Sequence, residues 1–145
     1  MKIIIEDALE GAEDEIIIRC HELDEHLLEL IYGMKTNKSK LCCSYNGAIY
    51  MVNPQDLYYF EAVDNKVFAY GEQMVYEVKY KLYELEELFG HTEFFRASKS
   101  SIVNLSKMVK VVPSFNGRFE ALLSNGEKVI VSRQFVPELK KKLGI

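Results

Sequence analysis

From Ala48 to Val131 the chain runs in short apolar stretches interleaved with polar positions and separated by turn pairs, the pattern of half-buried strands. The turn pairs are Asn46-Gly47, Asp64-Asn65, Gly71-Glu72, Asn116-Gly117 and Asn125-Gly126. Asn-Gly suits a two-residue hairpin loop because both residues tolerate positive φ. The last two pairs lie nine residues apart, which predicts a three-stranded meander over Met108 to Phe115, Arg118 to Leu123 and Lys128 to Val131. In its middle strand Phe119, Ala121 and Leu123 share one face, and Arg118, Glu120 and Leu122 the other. Ala48 to Val52, Leu57 to Val63 and Val67 to Tyr70 read as further strands, rich in residues that fit a pleated surface.

Three segments switch to helical spacing. From Asp24 to about Tyr32, Leu27, Leu28, Leu30 and Ile31 form an apolar stripe. Asp24 is an N-cap, Leu23 can staple onto Leu28, and Gly33 is a stop signal. From Lys79 to Phe89, Leu82, Leu85, Leu88 and Phe89 share a face, with Gly90 as the stop. The third helix follows Ser132 as N-cap and ends in Lys140-Lys141-Lys142, cations that favour the negative end of a helix dipole. Pro137 confines the first turn of that helix to a looser geometry. Ahead of these elements, Lys2 to Glu6 and Glu15 to Cys20 read as two strands, so that residues 1–45 form an acidic ββα extension and residues 46–145 the main domain. The polar stretch Lys35 to Lys40 marks the modest boundary between them. Taken together, the pattern is mainly β with few helices, an α+β class.

Composition narrows the function. The chain has 145 residues, 48% of them hydrophobic, with 9 Tyr and 8 Phe, enough apolar surface to exclude intrinsic disorder. The apolar runs, such as Ile16-Ile17-Ile18, are far too short to span a bilayer, so no membrane insertion is expected. Met1 to Ile5 leads directly into Glu6-Asp7, which predicts no signal peptide. Three cysteines do not make a disulfide framework, and a reducing, cytoplasmic setting is expected. The net charge of -4 hides an asymmetry. Residues 94–145 hold Arg96, Lys99, Lys107, Lys110, Arg118, Lys128, Arg133 and Lys140 to Lys142 against only Glu120, Glu127 and Glu138, giving +7 and leaving -11 for residues 1–93. One end of the chain therefore attracts polyanions and the other repels them.

Enzyme signatures are missing: the chain has no phosphate-cradling glycine loop, no nucleophile elbow and no metalloprotease helix. No cofactor or metal site is expected. Adjacent Cys42 and Cys43 would face opposite sides of a strand, and Cys20 is expected to pack as a small core hydrophobe. Glu86-Glu87 reads as a solubilising helix face, and His91 as a capping or surface residue. What stands out is Phe94-Phe95-Arg96-Ala97-Ser98-Lys99-Ser100-Ser101-Ile102-Val103-Asn104, where a rigid strand delivers Arg96, Ser98 and Lys99 onto a connection without acids. A second cluster, Val131-Ser132-Arg133-Gln134, joins a strand to a helix and brings backbone N–H groups and a cation together, an anion site fit for a DNA phosphate. Gln134 offers donor and acceptor together, as adenine recognition requires.

At these residues the sequence resembles the LytTR family of bacterial DNA-binding domains. The matching pieces are Tyr59-Phe60-Glu61-Ala62 with Lys66-Val67-Phe68, Leu82 to Leu88, Phe94-Phe95-Arg96, Ser98-Lys99-Ser100, Ile102-Val103-Asn104-Leu105, Asn125-Gly126 and Val131-Ser132-Arg133. They occur in the family's order, over about Ile49 to Leu143. The resemblance implies elongated, packed β-sheets with peripheral helices, whose loops enter the major groove of promoter DNA. Carried over by position, Lys99, Gln134 or its neighbour Arg133, and a residue near Lys66 become base-reading candidates. Arg96, Ser98, Lys107 and Lys110 become phosphate contacts. Ser98 stands where many members have His. Many members also carry a receiver domain, which the short acidic N-terminal segment does not supply. A sequence-specific transcriptional regulator acting as a homodimer on paired sites is the resulting expectation. The alternative is a β-rich interaction or ligand-sensing module that ignores nucleic acid.

Overall fold

The turn pairs close strands in the computed structural model, which describes residues 2–35, 40–90 and 92–145. Asn46 and Gly47 both take positive φ, as do Asp64 and Asn65, and each pair links two antiparallel strands. The Asn46-Gly47 turn joins β1 (Leu41–Tyr45) to β2 (Ala48–Val52), and the Asp64-Asn65 turn joins β3 (Tyr59–Val63) to β4 (Lys66–Tyr70). With β5 (Val75–Val78), β6 (Phe94–Ser98) and β7 (Ser101–Asn104) these strands form an antiparallel sheet in the order β2-β1-β5-β4-β3-β7-β6. A second sheet is the predicted meander, β8 (Met108–Pro113), β9 (Phe119–Leu123) and β10 (Lys128–Val131), in the order β10-β9-β8.

The two meander turns are wider than two residues. Phe115–Gly117 makes a 3-10 turn between paired Pro113 and Phe119, and Leu123 is bonded to Glu127 across the other turn. There the Asn125 side chain accepts from the Glu127 N–H at 3.0 Å, so asparagine supplies a side-chain acceptor where a tighter loop would need its positive φ.

The chain divides into two compact units, Met1–Asn37 and Lys38–Ile145. In the first, Asp24 accepts from the Leu27 N–H at 2.9 Å and starts helix α1 (Glu25–Lys35), which continues through Gly33. The two strands expected at Lys2 to Glu6 and Glu15 to Cys20 are not formed; among the described residues of that segment there is only a turn, closed by the Ala12 N–H on the Leu9 carbonyl. Their side-chain pattern was suitable, but a strand exists only where a neighbour supplies ladder bonds. Cys20, expected in a core, is exposed for the same reason. Residues 36–39, within the polar stretch, and His91 lie outside the described residues.

The second unit has two apolar clusters, one on each face of the larger sheet. Helix α2 (Leu82–Phe89) covers one face, burying Leu82 and Leu85 against Leu57, Phe60, Ala69 and Ile102. The start of α2 is fixed by Glu84, which accepts from the Lys81 N–H at 3.1 Å. The meander and helix α3 (Val136–Leu143) cover the other face, with Leu123, Val131 and Leu139 packed against Phe95, Ala97 and Val103. Adjacent Phe94 and Phe95 point to opposite sides of β6 and so belong to different clusters. Pro137 sits in the first turn of α3, where its missing N–H costs nothing, and a 3-10 turn at Arg133–Phe135 comes before it. Ser132 therefore stands at the head of that short turn, without a side-chain capping bond, and not at the start of the α-helix itself. Gly144, at φ 73°, ends α3 beyond its three lysines.

Candidate nucleic-acid interface

Three loops are tied together at one end of the two sheets. The β3–β4 turn is joined to the β6–β7 turn by a 2.8 Å bond from the Ala62 N–H to the Ser100 carbonyl. The segment leaving β10 is joined to β6 by a bond of the same length, from the Ser132 N–H to the Ala97 carbonyl. Each loop is thus anchored by backbone bonds to a neighbouring strand, and the strands themselves are packed on two cores.

The β6–β7 turn is built largely from its own polar groups. Ser98 and Ser101 share a hydroxyl bond of 2.7 Å, and the Ser100 N–H donates to Ser98 Oγ at 3.2 Å. Arg96, on β6, spends its donors inward: Nε–H on the Ser98 carbonyl and an Nη2–H on the Lys99 carbonyl, both at 2.7 Å, and an Nη1–H on Glu86 Oε2 at 3.0 Å. Glu86 lies on α2, so the acid that sequence reads as solubilising holds an arginine. Lys99 is exposed at the tip of the turn.

Arg133 and Gln134 are exposed just beyond β10. The stem of Arg133 lies against Gly117: a Cβ placed on that glycine would come 3.0 Å from Arg133 Cδ. Lys66, the first residue of β4 after the β3–β4 turn, faces Glu77 at 4.0 Å, a long and exposed pairing. Lys66, Arg96, Ser98, Lys99, Arg133 and Gln134 therefore come to one end of the unit. Lys107 and Lys110 do not. Lys107 follows the far end of β7, its ammonium 5.1 Å from the centre of the Tyr58 ring, and Lys110 lies exposed on β8 opposite Leu122.

The structure adds two cations that sequence reasoning did not single out. Arg118 and Lys128 line a groove of about 410 Å³ together with Tyr59, Ser98, Ser100 and Ser132. The signal was available: each cation comes directly, or one residue, after a turn sequence, Asn116-Gly117 and Asn125-Gly126-Glu127. Lys128 is 3.4 Å from Glu120, whereas Lys99, Arg118 and Arg133 make no ion pair among the described residues. At the groove's floor Tyr59 stacks on Tyr70 with ring centres 4.2 Å apart. Burial, followed by a hydrogen bond to Glu127 and the charges of nearby acids, pushes the Tyr59 hydroxyl well above the usual tyrosine range, so it stays a neutral donor. The arrangement offers hydroxyls and guanidinium or ammonium groups to an anion, with the Glu61 carboxylate also in the lining. Among the described residues no three His, Cys, Asp or Glu side chains are placed to hold a metal ion, and no helix is long and apolar enough to cross a membrane.

A sequence model of the LytTr DNA-binding domain matches residues 47–144. A sensory transduction protein LytT of Enterococcus faecalis is 35% identical over 97 residues, which cover 67% of this chain and 40% of that protein. One from Bacillus cereus is 33% identical, over 73% of this chain and 43% of its own. The chain thus spans about two-fifths of the length of these LytT proteins. An uncharacterised HTH-type transcriptional regulator of Staphylococcus aureus is 28% identical over 92% of this chain and 91% of its own. Among solved structures, the LytTr DNA-binding domain of a putative methyl-accepting/DNA response regulator from Bacillus cereus superposes with a TM-score of 0.71 at 30% identity. That match covers 74% of this chain and 99% of the other.

Proposed function

The chain belongs to the LytTr DNA-binding domain family, and from that premise we propose that it is a transcriptional regulator reading promoter DNA through its three tethered loops. The observation that supports this most is the gathering of cations and amide or hydroxyl groups, drawn from three loops, at one end of a double-sheet scaffold. Loops anchored to packed strands lose little freedom on docking, so their charges act at once on the duplex. Lys99, Arg133 and Gln134 are assigned to base edges in the major groove, with Lys66 beside them. Ser98, Arg118 and Lys128 are assigned to phosphates around the groove, and Lys107 and Lys110 to phosphates further along the duplex.

Because β1 is a strand of the larger sheet, the boundary is taken before it and not at 45/46: residues 1–37 are the acidic extension and residues 38–145 the DNA-reading part, working in the cytoplasm as two copies on paired sites. One domain of this size reads few base pairs, and pairing multiplies discrimination.

The test is selection from a random duplex library by the purified chain, followed by salt titration of the selected duplex. Log K should fall with log salt by about 0.9 for each phosphate neutralised. Lys99→Ala should weaken binding by about 1–3 kcal/mol and relax preference at one base position, whereas Lys110→Ala should weaken all sequences alike. A library that yields no enriched sequence, or two variants that bind as the parent does, would refute the assignment.

A further inference from the structure

We propose that Arg96, together with Glu86, is a positioning residue for the reading turn and makes no phosphate contact of its own; this rests on the DNA-reading role given above to the β6–β7 turn. Position in sequence alone marks Arg96 as one more cation for the backbone. Its surroundings argue otherwise. The guanidinium fork closes on two consecutive carbonyls of the turn, Ser98 and Lys99, at 2.7 Å each. Both bonds are short and charge-assisted, the stronger class of hydrogen bond. The third contact, 3.0 Å to Glu86 Oε2, satisfies the charge that a phosphate would need, and the Arg96 side chain is only 21% exposed.

The anchor is firm at its other end. Glu86 stands on α2, one residue past Leu85, which is fully buried in the first core. The pairing of β6 with β7 slips between Arg96 and Ser98, so the ladder alone does not fix the backbone that leads into Lys99. Arg96 supplies the missing constraint and in doing so fixes where the Lys99 side chain emerges. A lysine in its place keeps the charge but cannot hold three separate acceptors with one planar fork. Positioning and direct contact therefore predict opposite results for Arg96→Lys.

The experiment compares the parent chain, Arg96→Lys, Arg96→Gln, Glu86→Ala and Lys99→Ala. Each is titrated with the selected duplex and with a shuffled duplex of the same composition across salt. Hydrogen exchange is followed at the Ala62 and Ser100 amides, which bond to and within the turn. Positioning predicts that Arg96→Lys loses at least tenfold on the selected duplex, stays within twofold on the shuffled one, and exchanges faster at both amides. The salt slope of Arg96→Gln should equal the parent's, because no phosphate contact, and so no counterion release, is lost. Arg96→Lys within threefold of the parent on the selected duplex, or a slope for Arg96→Gln lower by about one unit, overturns the proposal. If the Arg96 variants do not fold, Glu86→Ala carries the test. It should lose about threefold on the selected duplex only, with faster exchange, and parental behaviour in both overturns the idea. Lys99→Ala separates the two layers: no loss there defeats the DNA-reading role of the turn, while a loss there with Arg96→Lys intact defeats only the positioning role.

Discussion

Replacing Gly117 by alanine tests the loop geometry without altering a charge. Gly117 holds φ at 74°, a left-handed conformation that costs an L-residue about 1–2 kcal/mol. Alanine also stiffens the unfolded chain, which returns roughly 0.4–1 kcal/mol, so the net destabilisation is about 1 kcal/mol. For a unit of this size that lowers the melting midpoint by roughly 4–6 °C. The new Cβ would also lie 3.0 Å from Cδ and 3.1 Å from Cγ of Arg133. A flexible stem can rotate away, but the guanidinium then leaves its place. If Arg133 reads a base, affinity for the selected duplex falls by about 1–3 kcal/mol. Gly117→Asn divides the two effects, since asparagine tolerates the left-handed region while its Cβ meets the same arginine. Thermal melts and duplex titrations of both variants are the assay. The asparagine variant should recover most of the stability and little of the binding. Recovery of both, or an alanine variant that binds as the parent does, would refute the claim that this glycine places Arg133.

Two further outcomes concern the scaffold. Asn104 is 1% exposed, donates to the Leu57 carbonyl at 2.8 Å and accepts from the Ser106 N–H and hydroxyl; Asn104→Leu should lower unfolding free energy by about 1–3 kcal/mol in urea melts, because the buried Leu57 carbonyl loses its partner while exposed Ser106 turns to water. Burial, with the neighbouring Cys42 next in importance, pushes the Cys43 thiol up from 9.0 to about 11. The unfolded chain then ionises first, so this contribution to stability is complete below pH 9 and is lost as pH rises towards 11. The loss should be on the order of 2–3 kcal/mol and absent in Cys43→Ala, whose pH profile is the check.

What the sequence revealed depended on whether a local signal carried the answer. Strands β2, β3, β4 and the meander were legible because alternation and a turn pair coincide at each. Strands β1 and β5 were not, since Leu41-Cys42-Cys43-Ser44-Tyr45 has little periodicity and Val75–Val78 is only four residues long. Each is a strand because a neighbour pairs along its length, β2 with β1 and β4 with β5, while the two meet each other only at Ser44 opposite Glu77. The converse error fell at Lys2 to Glu6 and Glu15 to Cys20, where a β-branched isoleucine run is present and the partner strand is not. In the candidate site, the turn at Ser98 to Ser101 and the Arg133-Gln134 junction were visible as clusters of polar residues. The tether between Glu86 and Arg96 was hidden, because it joins a helix to a strand ten residues away and exists only once both have packed.

Phe94 and Phe95, back to back on one strand, make β6 a party wall between two interiors. Opening either interior exposes a phenylalanine of the common partition, which couples the two. The lysine-tipped hairpin therefore springs from a strand that both interiors hold. β6 is the last strand of its sheet, so it is this double packing, and not a ladder on both sides, that steadies a probe of nucleic acid mounted on it.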